Sequence, residues 1–202
     1  MTTQASLITK LQASLLATAE SFLPEDFARH VHVAVADFSR YRPLEMVDTL
    51  ALQAGLALYP CPAELTVVLG CDWGRDAKLT LDPWDNRWPG ALPAIRVMRQ
   101  GENRVLYLTP APSARQISLL GSACTYRYGA AHMVSETDGT LADQDVPLVV
   151  LRAQAEALRE LAAKHTTVPY QVRDGISATP RNGTPSYLHT VLMDEFERRV
   201  KL

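Results

Sequence analysis

The sequence lacks the short motifs that mark well-known catalytic and nucleotide-binding sites. It contains no G-x-S-x-G nucleophile turn, no phosphate-binding loop and no G-x-G-x-x-G dinucleotide fingerprint. It also contains no H-E-x-x-H or D-x-D-x-D-G pattern, the spacings that hold zinc and calcium. We therefore expect a protein that is not an enzyme, with no catalytic residues, no metal site and no cofactor.

Excess charge and long apolar runs are also missing. The 20 basic and 22 acidic residues nearly cancel, to a net charge of −2, and no basic stripe is present. This balance argues against nucleic acid as the main ligand. No run reaches the roughly 18 apolar residues of a membrane span, and "MTTQASLITKLQASLLATAESF" lacks the basic start and apolar centre of a signal peptide. We expect a soluble protein without an export signal.

Cysteine is scarce, and its spacing excludes two kinds of scaffold. Cys61, Cys71 and Cys124 are odd in number and form no C-x-x-C pair, unlike a disulfide framework or a structural zinc site. We expect reduced, partly buried side chains, which fits synthesis in the cytoplasm. An enzyme that uses Cys71 or Cys124 as a nucleophile with a distant histidine is the alternative from a different functional class, although neither cysteine has a recognised flanking signature.

The histidine pair of the sequence does not predict a metal site. His30 and His32 lie in a predicted helix, where two residues of this spacing point roughly 200° apart. We interpret both as surface or boundary residues. His132, His165 and His189 are isolated in the sequence.

The two ends of the chain have helical periodicity. Near the start, Leu7, Leu11 and Leu15 form one stripe, and a second helix begins at Pro24 and ends before Pro43. Near the end, "TLADQDVPLVVLRAQAEALRELAAKHT" predicts a third helix with alanines on its inner face, and Thr184 predicts the N-cap of a fourth. The Pro-, Gly- and Ser-rich segment of about residues 168–184 is typical of a long mobile loop.

Between the helices, the period changes to that of short strands. "AELTVVLGCDW" predicts a buried strand, "AIRVMRQGENRVLYLTP" a hairpin, and "QISLLGSACTYRYGAAH" a further strand. The predicted fold class is α+β, with two helices at each end around a small antiparallel β-sandwich or barrel. We expect a single domain over 1–202, with helices in about 4–42, strands in about 44–132, and helices with the mobile loop in about 140–202.

All three tryptophans lie in the segment "CDWGRDAKLTLDPWDNRWPG", residues 71–90. Its glycines and prolines indicate a connection between strands, not an acid–base site. We expect Trp73 to fold back as a lid over the sheet. Trp84 and Trp88 are either structural too or anchors for a partner.

The order of these segments resembles the neck proteins of tailed bacteriophages, the head–tail connector or adaptor proteins that dock below the portal. A helix ending in "VADFSRYRP" is followed by "LALYPCPAEL", the tryptophan segment, "LPAIRVM" and "VLYLTPAPSA", and "YRYGAAHMVSETDGTLADQD" then precedes the alanine-rich helix and "PSYL". The resemblance covers roughly residues 25–200. Each short element, such as "Y-P-x-P" at 59–62, is weak alone, and the β part is larger than in all-helical adaptors.

The resemblance implies a structural protein of the virion neck that is assembled in the host cytoplasm. It implies a homo-oligomeric ring, commonly a dodecamer, between the portal and a tail or neck protein, with DNA only passing through the channel and no membrane contact. A tail-completion or tail-terminator ring is the alternative within the same class. The expected partner-binding residues are in the tryptophan segment and the carboxy-terminal part: Trp84, Trp88, Tyr170, Tyr187, Leu188, Leu192 and Phe196.

Overall fold

A computed structural model describes residues 2–165 and 184–201 of the chain. The described elements, in chain order, are α1 (Gln4–Leu15), a 3₁₀ helix (Leu16–Ser21), α2 (Pro24–Tyr41), β1 (Leu44–Ala51), β2 (Leu58–Pro60), β3 (Leu65–Cys71), α3 (Arg75–Thr80), β4 (Ala94–Gln100), β5 (Asn103–Thr109), α4 (Ala114–Leu120), β6 (Ala123–Ala130), α5 (Val146–His165) and α6 (Pro185–Val200). They form two compact units. The helical unit is Met1–Pro43 with His132–Leu202, and the β unit is Leu44–Ala131.

Side-chain caps fix the starts of the helices in the helical unit. The Thr3 hydroxyl accepts a hydrogen bond from the backbone N–H of Ser6 at the start of α1 (3.3 Å). At α2, Pro24 occupies the first turn, and the Asp26 carboxylate accepts a hydrogen bond from the backbone N–H of Leu23, the residue before the helix (3.0 Å). As predicted, Thr184 caps α6. Such caps satisfy N–H groups that have no partner inside a helix.

The core of the helical unit consists of the predicted apolar stripes. Its buried side chains on the four long helices include Leu7, Leu11 and Leu15 of α1, Phe27, Val31, Ala34, Val35 and Phe38 of α2, Val149, Ala153, Ala157, Leu158 and Leu161 of α5, and Phe196 and Val200 of α6. Helix α5 packs against α1, α2 and α6. Its buried alanines allow these neighbours to approach closely, because they have no side chain beyond Cβ.

Six strands of the β unit form two three-stranded antiparallel sheets, in the orders β1-β6-β3 and β2-β5-β4. The predicted hairpin is β4 and β5, which turns at Gly101, a residue whose φ of +63° favours glycine. Buried side chains of both sheets, including Leu50, Tyr126 and Leu106, belong to one hydrophobic cluster. The α+β class, with helices at both ends and small antiparallel sheets between, is confirmed. The single-domain expectation stays a prediction.

Two sequence-based predictions within the β unit were wrong in part. The segment predicted as one strand from Gln116 contains helix α4 first, and β6 begins only at Ala123. The start of α4 is fixed because Ser113 and Gln116 cap each other reciprocally (3.2 and 2.9 Å). Strand β3 is present but is not a buried strand: it lies at the edge of its sheet, and Leu65 is its only buried residue.

Candidate interaction surfaces

Helix α6 has an apolar face that is not part of the core of its unit. Tyr187, Leu188 and Val191 are 40%, 36% and 42% exposed, and their spacing places them side by side on the helix. We call these three residues the α6 patch. Farther along the same helix, Phe196 and Val200 are buried in the core. The helix is therefore apolar on more surface than its own unit covers.

The structure divides the partner-binding residues predicted on this part of the chain. Tyr187 and Leu188 are exposed, whereas Leu192 packs against the core and Phe196 is 1% exposed within it. The last two side chains are thus occupied by contacts inside the unit. Tyr170 lies outside the described residues. Val191 was missed, although its spacing of four from Tyr187 is a readable signal in the sequence.

The β unit has a second group of exposed apolar side chains, on β1 and β3. Val47 and Val67 pair with Arg127 and Gly129 of the central strand β6, which places both valines on the same face of the sheet. Leu69, at a register irregularity of β3, is also exposed. We call Val47, Val67 and Leu69 the sheet patch. Edge strands with exposed apolar residues are places where other chains add or pack.

The three tryptophans have three different environments. Trp73 is buried in the core of the β unit, as expected for a lid, and its indole Nε1–H donates to the carbonyl of Gly121 (3.1 Å). Trp88 is half-buried, with the Lys78 ammonium 6.0 Å from its ring centroid. Trp84 is 81% exposed. Of the two predicted anchors, Trp84 is the one whose ring is free to meet a partner.

Cys71 and Cys124 lie together on neighbouring strands, with their Sγ atoms 3.4 Å apart. The Cys124 thiol, as donor to Cys71, lowers the pKa of Cys71 to about 7; burial opposes this, and the backbone N–H of Trp73 adds to it. The same contact, with burial, raises the pKa of Cys124. Residues 44–131 contain no histidine, so the imidazole that the cysteine-enzyme alternative needs is not supplied by the β unit.

His30 corrects the expectation of a surface or boundary residue, because it is 1% exposed. Its Nε2 lies 2.8 Å from the Glu160 carboxylate, which satisfies one ring nitrogen in the interior. Arg29 and Lys164 also contact Glu160, each at 2.8 Å. Burial raises the pKa of Glu160, but the hydrogen bonds from Lys164, His30 and Arg29 outweigh it and hold the pKa at about 2. His32 is exposed, as predicted.

A second ionic cluster lies between α2 and α5 and has a structural role. The buried Arg152 side chain bonds to Asp37 (2.8 Å) and to Glu156 (3.1 Å), and Arg159 also contacts Glu156. Burial raises the pKa of Glu156, but these two arginines lower it further than burial raises it. Removing one partner of such a buried ion pair lowers the stability of the fold, because the other charge is left buried without a partner. The Arg152–Asp37 bond links α5 to α2.

Among the described residues, no group of three or more His, Cys, Asp or Glu side chains is placed to hold a metal ion. Within residues 2–165 and 184–201, no helix has both the length and the apolar character needed to cross a bilayer. A groove of about 550 Å³ runs along β1, the following turn and β2. Its lining includes one carboxylate, Asp48, and one thiol, Cys61, among mainly apolar side chains and backbone.

No protein-family model matches the chain, and no curated protein matches it. Among solved structures, a chain from the neck of a native GTA particle, computed with C12 symmetry, is 14% identical and has a TM-score of 0.28. The match covers 94% of this chain and 89% of that one. A chain from the neck of an empty GTA particle, computed with C6 symmetry, is 14% identical with a TM-score of 0.25, over 92% and 87% of the two chains. The chain is similar to these neck proteins, but TM-scores this low do not show a shared fold.

Proposed function

We propose that this chain is a structural protein of a phage-like virion, a subunit of the ring that joins the portal of the head to the tail. The α6 patch carries the proposal: Tyr187, Leu188 and Val191 form an apolar helix face that is exposed in the single chain. Contiguous exposed apolar surface on a soluble protein marks an interaction site. The portal is proposed as the partner because the order of the segments resembles that of phage neck proteins.

We assign the two patches to two different contacts. The α6 patch docks on the portal, in the manner of an amphipathic helix that lies in an apolar groove. The sheet patch, with Val47, Val67 and Leu69, contacts a second copy of the chain within the ring. Because the contacts in a ring are head-to-tail, the sheet patch of one copy meets a different surface of its neighbour. The proposed site of action is the virion neck, after assembly in the host cytoplasm.

Point substitutions test the docking contact better than removal of the helix. Deletion of residues 183–202 would remove Phe196 and Val200 from the core of the helical unit, so a loss of docking would have two explanations. Leu188→Asp places a charge in the α6 patch and leaves the core intact. Leu79→Asp is the matched control, because Leu79 is an exposed leucine outside both patches.

The experiment mixes each purified variant with isolated portal rings and measures binding by co-sedimentation. We expect Leu188→Asp to weaken binding by at least about 10-fold, as for a central anchor of an interface. Leu79→Asp should bind like the parent chain. Equal binding of all three proteins would show that α6 does not dock on the portal.

The mass of the assembled particle tests the ring and separates it from the alternative role. Native mass spectrometry of the portal-bound assembly gives the copy number, for which we expect a dodecamer. A ring that forms only on tail tubes, with a different copy number, would instead indicate a tail-completion or tail-terminator subunit. Val47→Lys should prevent ring closure, whereas Met98→Lys, at an exposed residue of β4, should not.

A further inference from the structure

The proposed neck role makes no use of Cys71 and Cys124, whose side chains lie next to each other in the β unit. Cys71 ends the edge strand β3 and Cys124 lies in the central strand β6. Tyr126 is the register partner of Cys71, so Cys124 is its diagonal neighbour. The two Sγ atoms are 3.4 Å apart with both thiols free, and a disulfide needs them at about 2.05 Å. The distance between the two Sγ atoms must therefore shorten by about 1.4 Å to form a bridge.

Strand β3 is a segment that can make this movement. It lies at the edge of its sheet, so it has a hydrogen-bonded strand neighbour on one side only. Its pairing with β6 already contains two register irregularities, and the second of them, between Val68 and Gly70, adjoins Cys71. A bulge interrupts the hydrogen-bond ladder locally, so fewer backbone bonds restrain a bulged edge strand than a regular central strand. The central strand β6 can thus stay in place while Cys71 moves toward Cys124.

The two cysteines differ in the way that an attacking and a resolving thiol differ. Cys71 is only half-buried, whereas Cys124 is 1% exposed. The Cys124 thiol and the backbone N–H of Trp73 both stabilise a thiolate at Cys71, whose pKa is about 7. Cys61, the third cysteine, lacks such donors, and burial raises its pKa. A soluble disulfide in the surroundings would thus meet one reactive thiolate, with a second thiol directly behind it.

We propose that Cys71 and Cys124 are a redox-active dithiol that low-molecular-weight disulfides such as oxidised glutathione convert to an interstrand disulfide. The Cys71 thiolate attacks one sulfur of oxidised glutathione, forms a mixed disulfide and releases one glutathione thiolate, which takes up a proton. Cys124 then loses its proton and attacks Sγ of Cys71, and the second glutathione leaves. In sum, two cysteine thiols are oxidised and one glutathione disulfide is reduced to two thiols.

The test uses the full chain in glutathione buffers of stepwise increasing oxidation, followed by acid quenching and intact-mass measurement. We expect the folded protein to lose two hydrogen atoms, and peptide mapping to link Cys71 to Cys124 with Cys61 free. Cys61→Ser should behave like the parent chain. Cys124→Ser, which removes the resolving thiol, should stop at one glutathione on Cys71, and Cys71→Ser should gain none on Cys124.

Reaction rates supply an independent criterion. Alkylation of Cys71 in the Cys124→Ala variant should lose its half-maximal point near pH 7 and shift to higher pH, because the thiol that stabilises the thiolate is gone. The parent chain should form the bridge in native buffer at least about 10-fold faster than in denaturant, where the two residues are 53 positions apart without a fold to join them. A bridge to Cys61, a bridge that forms only in denaturant, or no bridge in the most oxidising buffer would overturn the proposal.

Discussion

Phe196→Ala and Leu188→Ala, two truncations on the same helix, should have opposite consequences. Phe196 is 1% exposed, and its ring meets that of Tyr41 edge to face, with centroids 5.9 Å apart and an interplanar angle of 84°. Removing a buried phenylalanine side chain costs about 3–5 kcal/mol, which includes the lost aromatic contact of about 0.5–1.5 kcal/mol. Leu188 lies in the α6 patch, where truncation should change stability by no more than about 0.5 kcal/mol.

Urea denaturation followed by far-ultraviolet circular dichroism measures this difference, because the long helices belong to the helical unit. A loss of about 4 kcal/mol, divided by a slope of about 2 kcal/mol per molar urea, lowers the midpoint by about 2 M for Phe196→Ala. Tryptophan fluorescence of the same samples follows the β unit, since Trp73, Trp84 and Trp88 all lie there.

The reasoning would be refuted by a midpoint for Phe196→Ala within about 0.5 M of the parent chain. It would also be refuted if Leu188→Ala lost as much stability as Phe196→Ala, since the α6 patch would then be part of the core. In the portal-binding assay we expect the reverse order: Leu188→Ala should weaken binding, and folded Phe196→Ala, in mild conditions, should retain it.

Three further substitutions, one of them with a matched control, test particular contacts. Glu160→Gln should reduce the dependence of stability on pH. In the folded chain the pKa of Glu160 is about 2, below its ordinary value of 4.5, so its carboxylate stabilises the fold fully above pH 4.5 and loses this effect as the pH falls toward 2. Urea midpoints measured at a series of pH values will show the difference between the two proteins. Gly139→Ala should lower the melting temperature by the equivalent of about 1–3 kcal/mol, because the new Cβ would lie 2.1 Å from the carbonyl oxygen of Thr2. Trp73→Phe should cost about 1–3 kcal/mol in urea denaturation through its lost indole hydrogen bond, whereas Trp84→Phe, at an exposed ring, should cost almost nothing; equal effects would contradict the assignment of Trp73 to the core.

The helices and the hairpin could be predicted because their signals are local. The stripe of Leu7, Leu11 and Leu15 has the helical period, and all three are buried. Helix α4 was missed because it has only seven residues, too few to show a helical period, and β6 begins soon after it. Its signal was the pair Ser113 and Gln116, a capping box that is readable in the sequence.

The sequence could not show which side chains are buried or which residues contact each other, because both depend on residues that are distant in the sequence. His30 is interior because Glu160, 130 positions away, supplies a hydrogen-bond partner. The sequence around Cys71 does not indicate that Cys124 is its neighbour; the pairing of β3 with β6 brings the two Sγ atoms within 3.4 Å. Likewise, the sequence predicted an apolar stripe on α6 but not which of its members meet the core, since an amphipathic helix presents the same pattern to a core and to a partner.

The route of the chain through the β unit has an evolutionary consequence. Leu44, which opens β1, is paired with Ala130 at the end of β6, and in the helical unit the carbonyl oxygen of Arg42 lies 3.1 Å from Nε2 of His132. The polypeptide therefore leaves the helices and returns to them at almost one point. A segment tethered in this way is a cassette that recombination can lengthen, exchange or excise, with a short turn sufficient to rejoin the ends.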